Sequence, residues 1–137
     1  MKELIIEASL ENLNEVFGFI NGELERRNCP SELQVTIDLA VEEIFTNVAN
    51  YAYQPASGRV TIGIVVGEEA VIRFEDTGVP YNPLERPDPE LEKPLMERDI
   101  GGLGIFLVKK IMDRVDYMRI EDKNVLSMTK KLTEPQS

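Results

Sequence analysis

Two polar side chains on one predicted helix have types and spacing suited to metal-assisted proton chemistry. Glu43 and Asn47 are four residues apart, which places them on one helical face, a turn from each other. Their neighbours Ile44 and Val48 belong to an apolar stripe, so the pair lies at the edge of the core. A carboxylate beside an amide oxygen suits Mg²⁺ and a general base. A solvated helix face is the alternative that this pair alone leaves open.

A second candidate is the segment Asp76-Thr77-Gly78 at the end of a predicted strand. The alternation of Ile72, Phe74 and Asp76 directs the carboxylate toward the core side of that strand. A carboxylate there can accept a hydrogen bond from an exocyclic amine, and Gly78 lets a planar ligand approach the backbone closely. A plain turn is the simpler interpretation of this segment taken alone.

A third candidate is the run Gly101-Gly102-Leu103-Gly104, which precedes a predicted helix at 105–113. Backbone N–H groups at a helix N-terminus lack internal partners and lie at the positive end of the helix dipole, so they suit a phosphate. A hinge or a helix cap would use the same glycines. The run is neither a P-loop nor a Rossmann fingerprint.

Composition narrows the chemistry that these residues can perform. The 137 residues contain no histidine, which removes histidine bases, phosphohistidine and His–Zn sites. The net charge of −10 argues against direct nucleic acid binding and against anionic membranes. The single cysteine, Cys29, cannot form an internal disulfide, and no signal peptide or membrane-spanning run is visible, so we expect a cytoplasmic protein.

The elements that must position these residues follow from hydrophobic periodicity. Helical spacing predicts two long helices at about 10–27 and 31–53. Period-two alternation predicts a short strand near Leu4 and a hairpin at about 59–76. It also predicts a second hairpin, with strands at about 114–121 and 125–132. We place a turn at 122–124. The fold class is therefore α+β, a two-layer sandwich of helices on a mixed or antiparallel sheet, formed by one domain over 1–137.

Residues 77–99 carry five prolines and no hydrophobic period. A loop this long inside a compact domain is usually functional, and a lid is the common case.

The order of these motifs resembles the ATPase superfamily shared by DNA gyrase, histidine kinases and mismatch-repair ATPases. Residues 43–47 (EIFTN) resemble its N box, residues 76–78 (DTG) its first glycine box and residues 101–104 (GGLG) its second. Within the superfamily, residues 42–51 (EEIFTNVANY) and 102–113 (GLGIFLVKKIMD) are most similar to the anti-sigma factor serine kinases of bacterial stress and sporulation switches.

The resemblance implies a role for each matched position. Glu43 would be the base for the attacking hydroxyl, Asn47 a Mg²⁺ ligand and Asp76 the acceptor for the adenine amine. Gly78 would lie against the adenine base of the nucleotide. The phosphates of ATP would lie against Gly102 and Gly104, under a lid at about 82–100 in which Arg98 meets a phosphate.

Two positions depart from the superfamily pattern. Pro80 stands where a second glycine is frequent and stiffens the loop. Tyr51 stands where some relatives carry a histidine, and a tyrosine is not a base near neutral pH.

The function implied by the resemblance is that of an ATP- and Mg²⁺-dependent serine-protein kinase and anti-sigma regulatory factor. Its phosphate acceptor would be an anti-sigma factor antagonist, and binding of a sigma factor and formation of a homodimer are left open. A non-catalytic ATP/ADP-sensing module that switches partners is the alternative. A histidine-kinase catalytic fragment fits less well because the chain has no acceptor histidine.

Overall fold

A computed structural model describes residues 1–53, 58–85 and 100–132. Over these ranges the chain forms one five-stranded sheet and three α-helices. The strands are β1 (Lys2–Glu7), β2 (Arg59–Val66), β3 (Glu69–Asp76), β4 (Arg114–Ile120) and β5 (Lys123–Lys131). The helices are α1 (Leu13–Arg26), α2 (Ser31–Asn47) and α3 (Ile100–Ile111), and a wider π-helical turn, Val48–Ala52, extends α2.

The sheet is antiparallel throughout, with strand order β1-β2-β3-β5-β4. Both hairpins adopt the expected pairing, and the crossover lies between them, where β5 rather than β4 pairs with β3. Asp76, the last residue of β3, lies opposite Asn124 of β5 in this register. The ends of the two central strands therefore bring these polar residues together.

One face of the sheet carries the core and the other faces solvent. Inward side chains such as Ile62, Ile72 and Met128 are fully buried, whereas outward ones such as Ile5 and Met118 are exposed. The helices cover the inward face, and α2 contributes its whole apolar stripe to the core. The two-layer α+β sandwich predicted from the sequence is confirmed, with an antiparallel sheet.

Two local predictions were wrong. The glycine run does not precede α3 but lies within its first turns, because the helix begins at Ile100. Asn124 is not part of a turn, since β5 already begins at Lys123 and the reversal is made by Glu121 and Asp122 at positive φ. These shifts are only a few residues, but each changes what a candidate residue contacts.

Most of the expected lid at 82–100, including Arg98, lies outside the described residues. Its described beginning forms a short 3₁₀ turn, Pro83–Glu85. Within the described ranges, no helix combines the length and apolar character needed to span a bilayer.

The core position of α2 gives a stability prediction. Phe45 is fully buried on this helix, so Phe45→Ala should lower the free energy of unfolding by about 3–5 kcal/mol through lost burial and a residual cavity. Leu39, on the same helix, is 44% exposed, and Leu39→Ala should change stability by about 0.5 kcal/mol or less. Urea unfolding measures both values. Equal losses for the two variants would contradict this assignment of the buried face.

Candidate functional site

Asn47 of α2 and Asp76 of β3 line one cleft between the end of α2 and the inward face of the sheet. The cleft, counted with the open solvent at its mouth, has an empty volume of about 400 Å³. Its walls are largely apolar with a few polar groups: Ile44, Asn47, Val48, Ala52, Phe74, Asp76, Tyr81, Pro83, Tyr117 and Leu126. The structure thus brings together Asn47 and Asp76, which are distant in sequence.

Asp76 is a buried carboxylate held from two sides. Its Oδ1 accepts a hydrogen bond from the Gly78 N–H at 2.9 Å and another from the Asn124 side-chain amide at 2.9 Å. Oδ2 has no partner among the described residues. The carboxylate is therefore fixed in orientation while one oxygen remains available to a donor in the cleft.

Asn124 is the residue on which this corner of the cleft converges. Its amide nitrogen donates to Asp76 and to the Val79 carbonyl at 2.8 Å, and its oxygen accepts from the Tyr81 N–H and the Tyr117 hydroxyl. The sequence-predicted site lacks Asn124. A signal was present, because Asn124 alternates with Leu126 and Met128 and is therefore a polar residue on an apolar strand face.

Gly78 lies against the backbone of Ala52, at the end of the π-helical turn. A Cβ built at Gly78 would come within 2.6 Å of the Ala52 carbonyl carbon, so no other residue fits without a backbone shift. The next residue, Val79, donates its N–H to the Ala52 carbonyl at 3.0 Å. The small size of Gly78 is thus required by packing of the loop on the helix end.

Tyr53 fixes the same loop from its other side. Its hydroxyl donates to the Arg59 carbonyl at 2.6 Å and accepts the Thr77 N–H at 2.9 Å. Arg119 adds a hydrogen bond to the Gly78 carbonyl at 3.0 Å. The whole segment 76–79 is consequently held in one conformation by groups from three distant parts of the chain.

Two polar atoms in the cleft are buried without any hydrogen-bond partner among the described residues. They are the side-chain oxygen of Asn47 and the hydroxyl oxygen of Tyr81. Leaving such a group unpaired costs about 1–3 kcal/mol, and it calls for an explanation such as a bound ion, water or ligand. Both residues line the cleft.

Glu43 lies one turn before Asn47 and faces α3. A Cβ built at Gly104 would overlap its carboxylate, with Cδ only 2.8 Å away, so the glycine is what admits this side chain. Burial raises the pKa of the Glu43 carboxyl above its ordinary value, and the charge of Glu42 adds to the rise. The structure therefore places a carboxylate of enhanced basicity against the beginning of α3.

The glycines of α3 divide into two environments. Gly102 lies in the first turn, where backbone N–H groups have no partner within the helix. Gly104 lies beyond that turn and is packed against Glu43. The described residues contain no cluster of three or more His, Cys, Asp or Glu side chains able to hold a metal. A cation near Asn47 would thus need further oxygen ligands from a bound molecule and water.

The fold of the chain is also found in solved structures. It resembles the crystal structure of the RsbU and RsbW domains of Rv1364c from Mycobacterium tuberculosis, with a TM-score of 0.65 and 13% identity over 98% of this chain and 34% of that one. The Acinetobacter baumannii histidine kinase AdeS gives a TM-score of 0.53 with 14% identity, over 98% of this chain and 70% of that chain.

Curated relatives are similar in sequence. The serine-protein kinase RsbW of Bacillus cereus is 32% identical over 103 residues, which cover 72% of this chain and 64% of that protein. The serine/threonine-protein kinase BtrW of Bordetella bronchiseptica is 26% identical over 102 residues, covering 72% of this chain and 71% of that protein. The match therefore spans just under two thirds of the length of the Bacillus relative.

The family model of the histidine kinase-like ATPase domain matches residues 6–130. This range includes the cleft, both carboxylates and the glycines of α3. The chain belongs to the histidine kinase-like ATPase domain family.

Proposed function

We propose that the chain is an ATP-dependent serine-protein kinase that acts as an anti-sigma regulatory factor. The observation that carries this proposal is the contact between the Glu43 carboxylate and Gly104, one helical turn from Asn47 in the cleft. In this proposal the Glu43 carboxylate is the proton acceptor, the cleft holds the nucleotide base, and the N-terminal end of α3 binds the phosphates. The names of the RsbW and BtrW relatives support the type of reaction.

The described residues fit Mg-ATP on three counts. Asp76 presents a free oxygen to an amine donor, Asn47 has a buried oxygen with no partner, and Gly102 lies where helical N–H groups are unpaired. Mg²⁺ commonly takes one or two protein oxygens and completes its coordination with phosphates and water, so Asn47 suffices as a protein ligand. When bound, Mg-ATP would supply the phosphoryl group and neutralise charge on it.

The proposed reaction requires little covalent chemistry from the protein. Phosphoryl transfer depends mainly on positioning and on stabilisation of charge. Glu43 would accept the proton of a serine hydroxyl as the serine oxygen bonds to the γ-phosphorus of ATP and the bond from that phosphorus to ADP breaks. The raised pKa of this carboxyl makes it a stronger base than an exposed glutamate. The fixed segment 76–79 would hold the base of the nucleotide and would thereby position its phosphates.

The protein partners belong to the same proposal. An anti-sigma factor antagonist is the phosphate acceptor, and a sigma factor is the protein that is sequestered. Similarity to proteins named serine-protein kinase RsbW supports a protein as the phosphate acceptor. Capture of partners from the source cell with and without ATP, followed by mapping of phosphorylated serines, identifies them. A captured partner that never becomes phosphorylated would favour a nucleotide-sensing module without transferase activity.

Asp76→Asn should weaken nucleotide binding. The substitution keeps the size of the side chain but exchanges an acceptor oxygen for a donor group, which leaves donors unpaired at a cost of about 1–3 kcal/mol. Calorimetric titration with ADP and Mg²⁺ measures the loss. Asp116→Asn is the matched control, because Asp116 lies on β4 outside the cleft and pairs with Arg114. Equal binding by Asp76→Asn and the parent would refute this role for Asp76.

Glu43→Gln should separate binding from transfer. Loss of a positioned base costs about 10²–10⁴ in rate, while nucleotide affinity stays close to that of the parent. Transfer of the labelled γ-phosphate to the captured partner is measured alongside calorimetry. Glu32→Gln, at the exposed start of the same helix, should retain the parental rate. Full activity in Glu43→Gln would exclude this carboxylate as the base.

The pH dependence of transfer should report the raised pKa of Glu43. The base acts only when deprotonated, so the rate falls as the pH drops through this pKa. Glu42→Gln removes the neighbouring charge that contributes to the rise, and it should move the acidic limb to lower pH. Burial, which is the larger cause of the raised pKa of Glu43, is unchanged in this variant. Superimposable rate profiles for Glu42→Gln and the parent would argue against Glu43 as the titrating group.

A further inference from the structure

The side-chain amide of Asn124 is buried, and two backbone groups dictate its orientation. Its oxygen accepts the Tyr81 N–H at 3.3 Å, and its nitrogen donates to the Val79 carbonyl at 2.8 Å. A backbone N–H can only donate and a backbone carbonyl can only accept. Turning the amide by 180° would set like against like at both contacts. The backbone of this loop therefore fixes which end of Asn124 faces Asp76.

The end of Asn124 that faces Asp76 is consequently a donor. Its nitrogen donates to Oδ1 of Asp76 at 2.9 Å, and the Gly78 N–H donates to the same oxygen at 2.9 Å. Oδ2 has no partner among the described residues, and it is not one of their fully buried unpaired atoms, so it keeps accessible surface. Asp76 lines the cleft. Two donors on one oxygen thus hold the carboxylate in an orientation that leaves the other oxygen to a ligand.

We propose that Asn124 is a positioning residue for base recognition, and that it makes the cleft prefer a base with an exocyclic amine to a base without one. This inference rests on the proposed binding of a nucleotide in the cleft. Asn124 acts through Asp76, because its hydrogen bond keeps Oδ2 in place to accept from the amine. The preference concerns the amine alone and does not distinguish among the bases that carry one.

Asn21 provides a matched comparison outside the cleft. Its side-chain nitrogen donates to Oδ1 of Asp38 at 2.9 Å and to the Phe17 carbonyl at 3.0 Å. Asn124 makes the same pair of contacts, one to a carboxylate and one to a backbone carbonyl. Neither Asn21 nor Asp38 lines the cleft. Substitutions at the two asparagines therefore separate the effect of losing such a contact from the effect of losing it beside the ligand.

The experiment compares Asn124→Asp and Asn21→Asp with the parent. Calorimetry with Mg²⁺ measures the affinity for ADP and for purine riboside 5′-diphosphate, which differs from ADP only in lacking the exocyclic amine. The parent should prefer ADP by about 10- to 100-fold, the effect of one hydrogen bond to a charged group. Thermal unfolding without ligand measures what each substitution costs the fold.

Asn124→Asp keeps the size of the side chain but replaces the donor beside Asp76 with a second carboxylate. The two carboxylates repel each other or share a proton, so Asp76 turns away or becomes a weaker acceptor. The preference for ADP should fall to about 3-fold or less. Asn21→Asp creates the same kind of pair with Asp38, and both variants should unfold at a lower temperature than the parent. Asn21→Asp should nevertheless keep the preference within about 2-fold of the parental value.

Asn124→Ala keeps the test decisive if Asn124→Asp does not fold. It removes the donor to Asp76 without adding a charge, and it should lower the preference for ADP in the same direction. Parental preference in either Asn124 variant that folds would overturn the proposed role of Asn124 and leave the nucleotide site intact.

The remaining outcomes distinguish this inference from the proposed function. An equal loss of preference in Asn21→Asp would show that the preference follows stability rather than the contact with Asp76, and it would overturn the proposal. A parent that binds ADP and the analogue equally would reject Asp76 as the acceptor for the amine, and this inference with it. A parent that binds neither nucleotide would reject nucleotide binding itself.

Discussion

The hydrogen bond between Asp76 and Asn124 is the constraint on which the cleft depends. A buried carboxylate is costly unless hydrogen bonds compensate for lost water, and here the Gly78 N–H and the Asn124 amide do so at one oxygen. The antiparallel register sets the two residues opposite each other at the ends of β3 and β5. Because Asn124 also binds Val79 and Tyr81, this compensation fixes the loop that forms one wall of the cleft.

The end of α2 is a second constraint on the cleft. It depends on the first because Val79, which bonds to Asn124, also bonds to Ala52 at this helix end. The widened turn Val48–Ala52 carries the Ala52 carbonyl to the loop, where it accepts the Val79 N–H. Only a glycine at position 78 permits this approach. The cleft is thus built between a helix end and a strand end. Glu43 and Asn47, earlier on the same helix, extend the site from this pocket toward α3.

The sequence predicted the parts of the site that local patterns encode. Helical spacing placed Glu43 and Asn47 on one face, and strand alternation placed Asp76 inward, as the structure confirms. Asn124 was missed because it was assigned to the turn at 122–124 and because its role depends on a partner 48 residues away. Tyr81 lies between prolines in a segment without periodicity, so no local pattern indicated that its hydroxyl is buried. Contacts of this kind follow from register and loop packing, which spacing does not encode.

The proposed transfer needs a proton acceptor, and in a chain without histidine burial can raise the basicity of a carboxylate for that role. An exposed glutamate is a weak base because water stabilises its charge. Packing of Glu43 against Gly104 removes part of that water, which raises the pKa of the carboxyl and its basicity together. A side chain at position 104 would displace this carboxylate, so the environment of Glu43 depends on a glycine at that position.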